Sequence, residues 1–395
     1  MNRGILHTLI LSVVLAPGIY AAAPAVTNVR ASQRPGSEMV DIYYDLTDAD
    51  SSELTVFIAV SKDNGATWDV PAYTFTGAYG GNISPGNNKY IVWNAGNDWD
   101  GQFTTQCKVR VVANDLDPDG FALIPAGSYW RGDLLGEGIA SAIPTNSIYL
   151  SAFEIEKTEV TRARWETTYQ YGILHGFSFA ASSKGDSHPV HSVDWFSAVK
   201  WCNARSELEG RTPCYYMDSS LSAIYKTGQL NPYVKWTANG YRLPTEAEWE
   251  KAARGGLSAR RFPWGDTITH NQANYHSSTS VFYDTSLTRD YHPSYATGLY
   301  PFTSPAASFQ PNGFGLYDMA GNVWEWCWDW YDSGWYANSG SQVNDTRGPT
   351  GPMSFRVLRG GWWYSSAIYA RCADRGYGTP TDVDNHIGFR CVRGF

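Results

Sequence analysis

Fourteen of the 17 tryptophans in this chain of 395 residues fall after residue 125. They stand in a stretch rich in Gly and Tyr and poor in regular periodicity. Such a segment cannot bury itself as long ladders or repeated helices. It must rely on irregular loops held by aromatic packing. The residues before it carry only three tryptophans and show short alternating apolar runs, so the chain divides into two unlike parts. Its length suits two to three domains and buries a sizeable core without disulfides or metals. Thirty basic residues against 38 acidic give a net charge of −8 with no Lys/Arg run. That excludes a nucleic-acid grip built on counterion release.

Residues 1–23 join an early Arg3 to an apolar run from Leu9 to Leu15, a Pro17-Gly18 break and small residues Ala21 to Ala23. The pattern is that of a cleavable signal peptide and predicts a secreted or periplasmic protein. No later apolar run reaches the length of a membrane span. Export favours disulfides among the six cysteines, Cys107, Cys202, Cys214, Cys327, Cys372 and Cys391, without choosing their pairing. Cys107, alone in its part of the chain, is expected as a buried thiol.

Residues 25–114 read as an all-β module. The runs Val40–Tyr44, Leu54–Ile58, Tyr90–Trp93 and Cys107–Val112 are β-branched and aromatic, parted by turn formers such as Asp63-Asn64-Gly65 and Ser84-Pro85-Gly86. About seven short strands of this kind suggest an immunoglobulin- or fibronectin-like sandwich. Residues 115–120 are the expected linker. Beyond it, Thr245-Glu-Ala-Glu248 is a capping box that opens a helix stopped by Gly255-Gly256. A second helix is expected over Phe196–Ser206 and a third after Thr161. Trp324, Trp326, Trp328 and Trp330 alternate with Glu325, Cys327 and Asp329, which puts the four rings on one face of an extended segment.

Six motifs follow in order: Arg242-Leu-Pro-Thr-Glu-Ala-Glu-Trp-Glu250 with Ala252–Gly256, Phe262-Pro-Trp-Gly-Asp266, Asn312-Gly-Phe-Gly-Leu-Tyr317, Gly321-Asn-Val-Trp-Glu-Trp326, Val357-Leu-Arg-Gly-Gly361 and Gly388-Phe-Arg390. Together they resemble the formylglycine-generating enzyme (sulfatase-modifying factor) domain over residues 121–395. The resemblance implies an α+β domain distantly similar to C-type lectins, with little regular secondary structure and an insertion at about 206–240.

Enzymes of that family oxidise a sulfatase cysteine to formylglycine with copper held by two thiolates, as soft Cu(I) prefers. Here Ser365 stands at the position of the first thiolate, Trp362 replaces the serine usual after Gly360-Gly361, and no Cys lies between Cys327 and Cys372. Cys372 aligns with a cysteine the family uses in a disulfide, so copper is not expected. The resemblance also implies a structural calcium at Asp318, the carbonyls of Gly321 and Val323, and Glu325. A second set would use Asn274 and the carbonyl of Tyr275. It further implies a Cys202–Cys391 disulfide, with Cys372 left to pair with Cys327 or Cys214. Pro189 disfavours a helical His188/His191 metal pair, and Ser365 and Ser366 lack a hydrolase elbow. Trp362, Trp363, Ser365 and His386 are expected at the family's cleft. The resulting expectation is an exported, non-catalytic protein whose aromatic cleft binds a peptide or glycan. The alternative is a divergent formylglycine-generating oxidase, or another oxidoreductase acting on a protein cysteine.

Overall fold

The computed structural model describes residues 24–48, 54–65, 70, 72, 74–102, 104–115 and 120–394. The expected signal segment 1–23 and positions 116–119 of the expected linker lie outside the described residues.

Among the described residues seven strands precede position 116: β1 (Ala25–Gln33), β2 (Met39–Thr47), β3 (Leu54–Ser61), β4 (Phe75–Gly77), β5 (Gly80–Ile83), β6 (Gly86–Asn94) and β7 (Lys108–Asp115). They form two sheets, ordered β1-β2-β6-β4 and β5-β3-β7, and all their pairings are antiparallel. The period of two is plain in β2, where Ile42, Tyr44 and Leu46 are fully buried and the residues between them are not. Ile42, Tyr44, Val56, Ile58, Trp93 and Val111 from both sheets share one core. A short helix, α1 (Ala95–Trp99), follows β6. Cys107 is exposed, contrary to the buried thiol expected, because it ends the loop before β7 and lies outside that core.

After the linker come β8 (Phe121–Ile124), β9 (Gly127–Arg131), β10 (Asn146–Leu150) and β11 (Phe153–Glu156), then the helices α2 (Arg162–Leu174) and α3 (Trp195–Leu208). The side chains of Thr161 and Asp194 cap α2 and α3, accepting from Arg164 N and Ser197 N. The expected helix over 196–206 thus extends by one residue at its start and two at its end.

Short strands β12 (Tyr215–Tyr216), β13 (Tyr233–Val234) and β14 (Tyr241–Arg242) precede α4 (Glu246–Ala253). The capping box is present: Thr245 N donates to Glu248 Oε2 at 2.8 Å and Glu248 N to Thr245 Oγ1 at 3.2 Å. Residues 206–240 are tied in by Asn203. Its amide donates to the carbonyls of Tyr215 (2.8 Å) and Tyr225 (3.1 Å), and its oxygen accepts from Tyr215 N (3.1 Å).

The last strands are β15 (Trp324–Trp330), β16 (Arg356–Arg359), β17 (Gly376–Gly378), β18 (Ile387–Gly388) and β19 (Val392–Arg393). Two four-stranded sheets result, ordered β14-β19-β11-β8 and β17-β16-β15-β18. β15 separates two apolar clusters. Trp324 and Trp326 pack with Trp195, Trp201, Cys202 and Phe389, while Cys327 packs with Trp249, Val357 and Cys372. Trp328 stacks on Tyr215 at 5.5 Å, and the Arg356 guanidinium lies 3.7 Å from the Trp195 ring centre and 3.5 Å from that of Trp330. The alternating tryptophans therefore build core.

Candidate functional site: an aromatic loop beside a buried acidic cluster

β16 delivers the chain to Gly360 and Gly361, both at positive φ (98° and 77°). A Cβ on Gly361 would come within 3.0 Å of Ser365 Oγ and of the Tyr369 carbonyl, so the tight turn requires glycine there. The turn is closed by Ser365: its Oγ accepts from Trp362 N and donates to Trp362 O, both at 2.9 Å. Two further backbone bonds dock the loop, Trp363 N to Asn322 O and His276 N to Ser365 O, each 3.0 Å. Of the four residues expected at the cleft, Trp362 and His386 stack face to face at 3.9 Å, while Trp363 and Ser365 are buried. His191, beside His188 and His386, is 4% exposed with no partner on Nε2. Burial, then the two neighbouring histidines, lowers it to about 4. His188 is held by Thr303 at 2.9 Å.

These residues do not fit copper. The Ser365 hydroxyl is spent on its own turn, and the next cysteine, Cys372, is fully buried with its thiol pushed up to about 12 by burial. Thiolate ligation there is disfavoured. Among the described residues, no group of three or more His, Cys, Asp or Glu side chains is placed to hold a metal.

Oxygen ligands are another matter. Glu325, fully buried, accepts from Arg390 Nε (2.7 Å), Arg390 Nη2 (2.8 Å) and Trp249 Nε1 (2.8 Å). Asp318 accepts from Ala307 N at 2.7 Å through Oδ2 and leaves Oδ1 without a partner. Glu159, absent from the sequence-based set, accepts from Asn322 at 3.1 Å and likewise leaves Oε2 without one. Burial raises the pKa of both, Asp318 to about 6, and each is further influenced by carboxylates nearby. Three buried carboxyls face one guanidinium, so either protons or a hard cation must balance the excess. The Asp318 and Glu159 carboxyls lie within hydrogen-bonding reach of each other, whereas Glu325 is turned to Arg390. At the second implied set, Asn274 donates to Phe302 O (2.8 Å) and the Tyr275 carbonyl accepts from His270 Nε2 (3.1 Å).

Cys202 Sγ and Cys391 Sγ stand 3.4 Å apart, both buried. Cys327 and Cys372 share a cluster and Cys214 lies in the other, and all six cysteines are unlinked. A separate cavity of about 350 Å³ lies where β7 meets the C-terminal part, lined by Arg110, Trp236, Arg242 and Arg347 among others. It includes Arg242, Thr245 and Glu248 of the first motif but none of the cleft, metal or disulfide residues expected from sequence. No signal in the sequence marked Glu159, whose partners are brought to it only by the fold.

A domain of mixed helix and strand, with long loops converging on an aromatic turn after a Gly-Gly pair, defines a recognisable class. In fold it is similar to Treponema denticola variable protein 1, at a TM-score of 0.54 and 28% identity over 69% of this chain and 94% of that one. The chain belongs to the sulfatase-modifying factor enzyme 1-like domain family, whose match covers residues 108–395. It is 34% identical over 300 residues to the formylglycine-generating enzyme of Streptomyces coelicolor, covering 69% of this chain and 88% of that protein. It is 33% identical over 268 residues to the serine/threonine-protein kinase pkn1 of Chlamydia pneumoniae, covering 64% of this chain but only 38% of the kinase. The match begins at the first residue of β7, ahead of the boundary at 121 drawn from the motifs. No helix among the described residues is long and apolar enough to cross a membrane.

Proposed function

We propose that this chain is an exported, ligand-binding member of the family, which has kept the scaffold and given up copper oxidation. In this reading the aromatic loop Trp362–Tyr364, with Ser365 and His386, takes a peptide or glycan. Residues 25–114 serve as an immunoglobulin- or fibronectin-like spacer joined through 115–120. A calcium at Asp318 and a Cys202–Cys391 disulfide stabilise the domain.

The observation that carries the reading is the state of Ser365. By the resemblance Ser365 takes the place of a family thiolate, and both bonds of its hydroxyl go to the Trp362 backbone. A serine hydroxyl ionises too far above neutral pH to ligate Cu(I) as a thiolate does.

The test is a conversion assay. Purified protein, copper and oxygen are incubated with a Cys-x-Pro-x-Arg peptide, and formylglycine is sought by mass spectrometry. The expected result is unmodified peptide. Conversion that persists in Ser365→Ala would establish a divergent oxidase and overturn the binding reading.

A further inference from the structure

Beside the loop, aromatic residues from two separate segments form a continuous wall. Trp363 lies 5.2 Å from Tyr300 and 5.9 Å from Tyr364, with ring planes 27° apart in each case. Tyr291 stacks on Tyr364 at 5.2 Å and meets Phe302 edge-on at 5.1 Å. The wall is open to solvent: Tyr300 is 58% and Tyr364 48% exposed. Its polar atoms are neutral. The hydroxyls of Tyr291 and Tyr300 are 3.1 Å apart, and Tyr291 also bonds Tyr364. Beneath them Trp363, 3% exposed, carries an indole N–H with no partner.

Charged groups nearby are committed to the protein or stand at the rim. Lys184 donates to the carbonyls of Tyr295 and Thr297, and Arg289 pairs with Asp284. Asp290 is 3.8 Å from His276. An extended peptide would bind best to free backbone groups, yet here Trp363 N, Ser365 N and Ser365 O are all engaged. Half-exposed rings with neutral hydroxyls, and little free charge, suit a ligand with an apolar C–H face and a rim of hydroxyls.

We propose that Tyr291, Tyr300 and Tyr364, backed by the buried Trp363, form a platform for a neutral pyranose unit of a glycan. The inference rests on the ligand-binding reading above and chooses the glycan over the peptide. The sugar face lies on the Tyr300 and Tyr364 rings, and the linked tyrosine hydroxyls exchange hydrogen bonds with its rim.

The test uses the full-length protein on an array of neutral β-glucan, mannan, galactan and chitin oligosaccharides, followed by titration of any hit with tryptophan fluorescence as readout. The proposal expects at least one hit. Tyr300→Ala and Tyr364→Ala, both at half-exposed positions, should each weaken it about tenfold. Tyr291→Phe, which keeps the ring and removes the hydroxyl, should weaken it several-fold. A hit unchanged in all three variants would overturn the proposal, and so would an array with no hit. If the Cys-x-Pro-x-Arg peptide then bound, with loss on Trp362→Ala, the ligand-binding reading would stand without the glycan. Binding of neither class would remove both.

Discussion

Asp329 accepts the Glu246 amide at 2.8 Å beneath the start of α4, with 2% of its surface exposed. Burial, then the charge of Glu246, raises its pKa to about 7. The folded state therefore holds this proton more tightly than the unfolded chain, where aspartate titrates near 3.9. Its contribution to stability is complete below about pH 4 and is lost as pH rises toward about 7. Asp329→Asn keeps an acceptor for the Glu246 amide and abolishes the titration. Relative to wild type, the variant should gain on the order of 1.4 kcal/mol per pH unit inside that window and nothing further above it. Denaturant unfolding at pH 4.5, 6 and 8 checks this, and a pH-independent difference would refute it. At this scale sequence reading had mixed reach. Ser365 was visible at once, because the Gly360-Gly361 motif fixes its place. Glu159 was not, because its meaning depends on Asp318 and Asn322, which no local pattern connects to it.

Elements were legible where a local rule suffices. Thr245 and Glu248, three positions apart, specify the start of α4, and single side-chain caps from Thr161 and Asp194 start α2 and α3. Thr245→Ala removes the acceptor for the Glu248 amide, both groups being buried. It should cost about 1 kcal/mol, read as a lower denaturant midpoint, with Thr245→Ser restoring most of it. An unchanged midpoint would mean that the Arg242–Glu248 pair, at 2.6 Å, holds the helix start alone. The alternation of β2 and β15 was equally plain. What it could not tell was that β15 is covered on both faces, or that β9 and β10 form a separate ribbon. Those facts come from pairing between distant segments. Nor did any periodicity reveal the wall of Tyr291, Tyr300 and Tyr364, since loops carry no repeat for a reader to detect.

For the whole molecule, the family was readable from ordered motifs, but the start of its match at residue 108 was not. The 3.4 Å separation of Cys202 and Cys391 supports a covalent tie between α3 and the strand pair β18/β19 in an oxidising compartment. Peptide mapping of protein purified without reductant should recover these two cysteines linked. Reduction should then lower stability by about 5 kcal/mol in the chain-entropy account of so long a loop. Two free thiols at these positions in exported protein would disprove it.

The sheet order β14-β19-β11-β8 has a bearing on how the protein is made. β19 lies between β14 and β11, which do not touch as neighbours, and Arg390 and Cys391 just before it reach Glu325 and Glu156. Translation delivers these residues long after the strands they join. A nascent chain stalled before Ile387 would leave that sheet in two pieces and the Glu325 carboxylate without its guanidinium. Closure of this sheet is thus postponed until β19 has emerged from the ribosome.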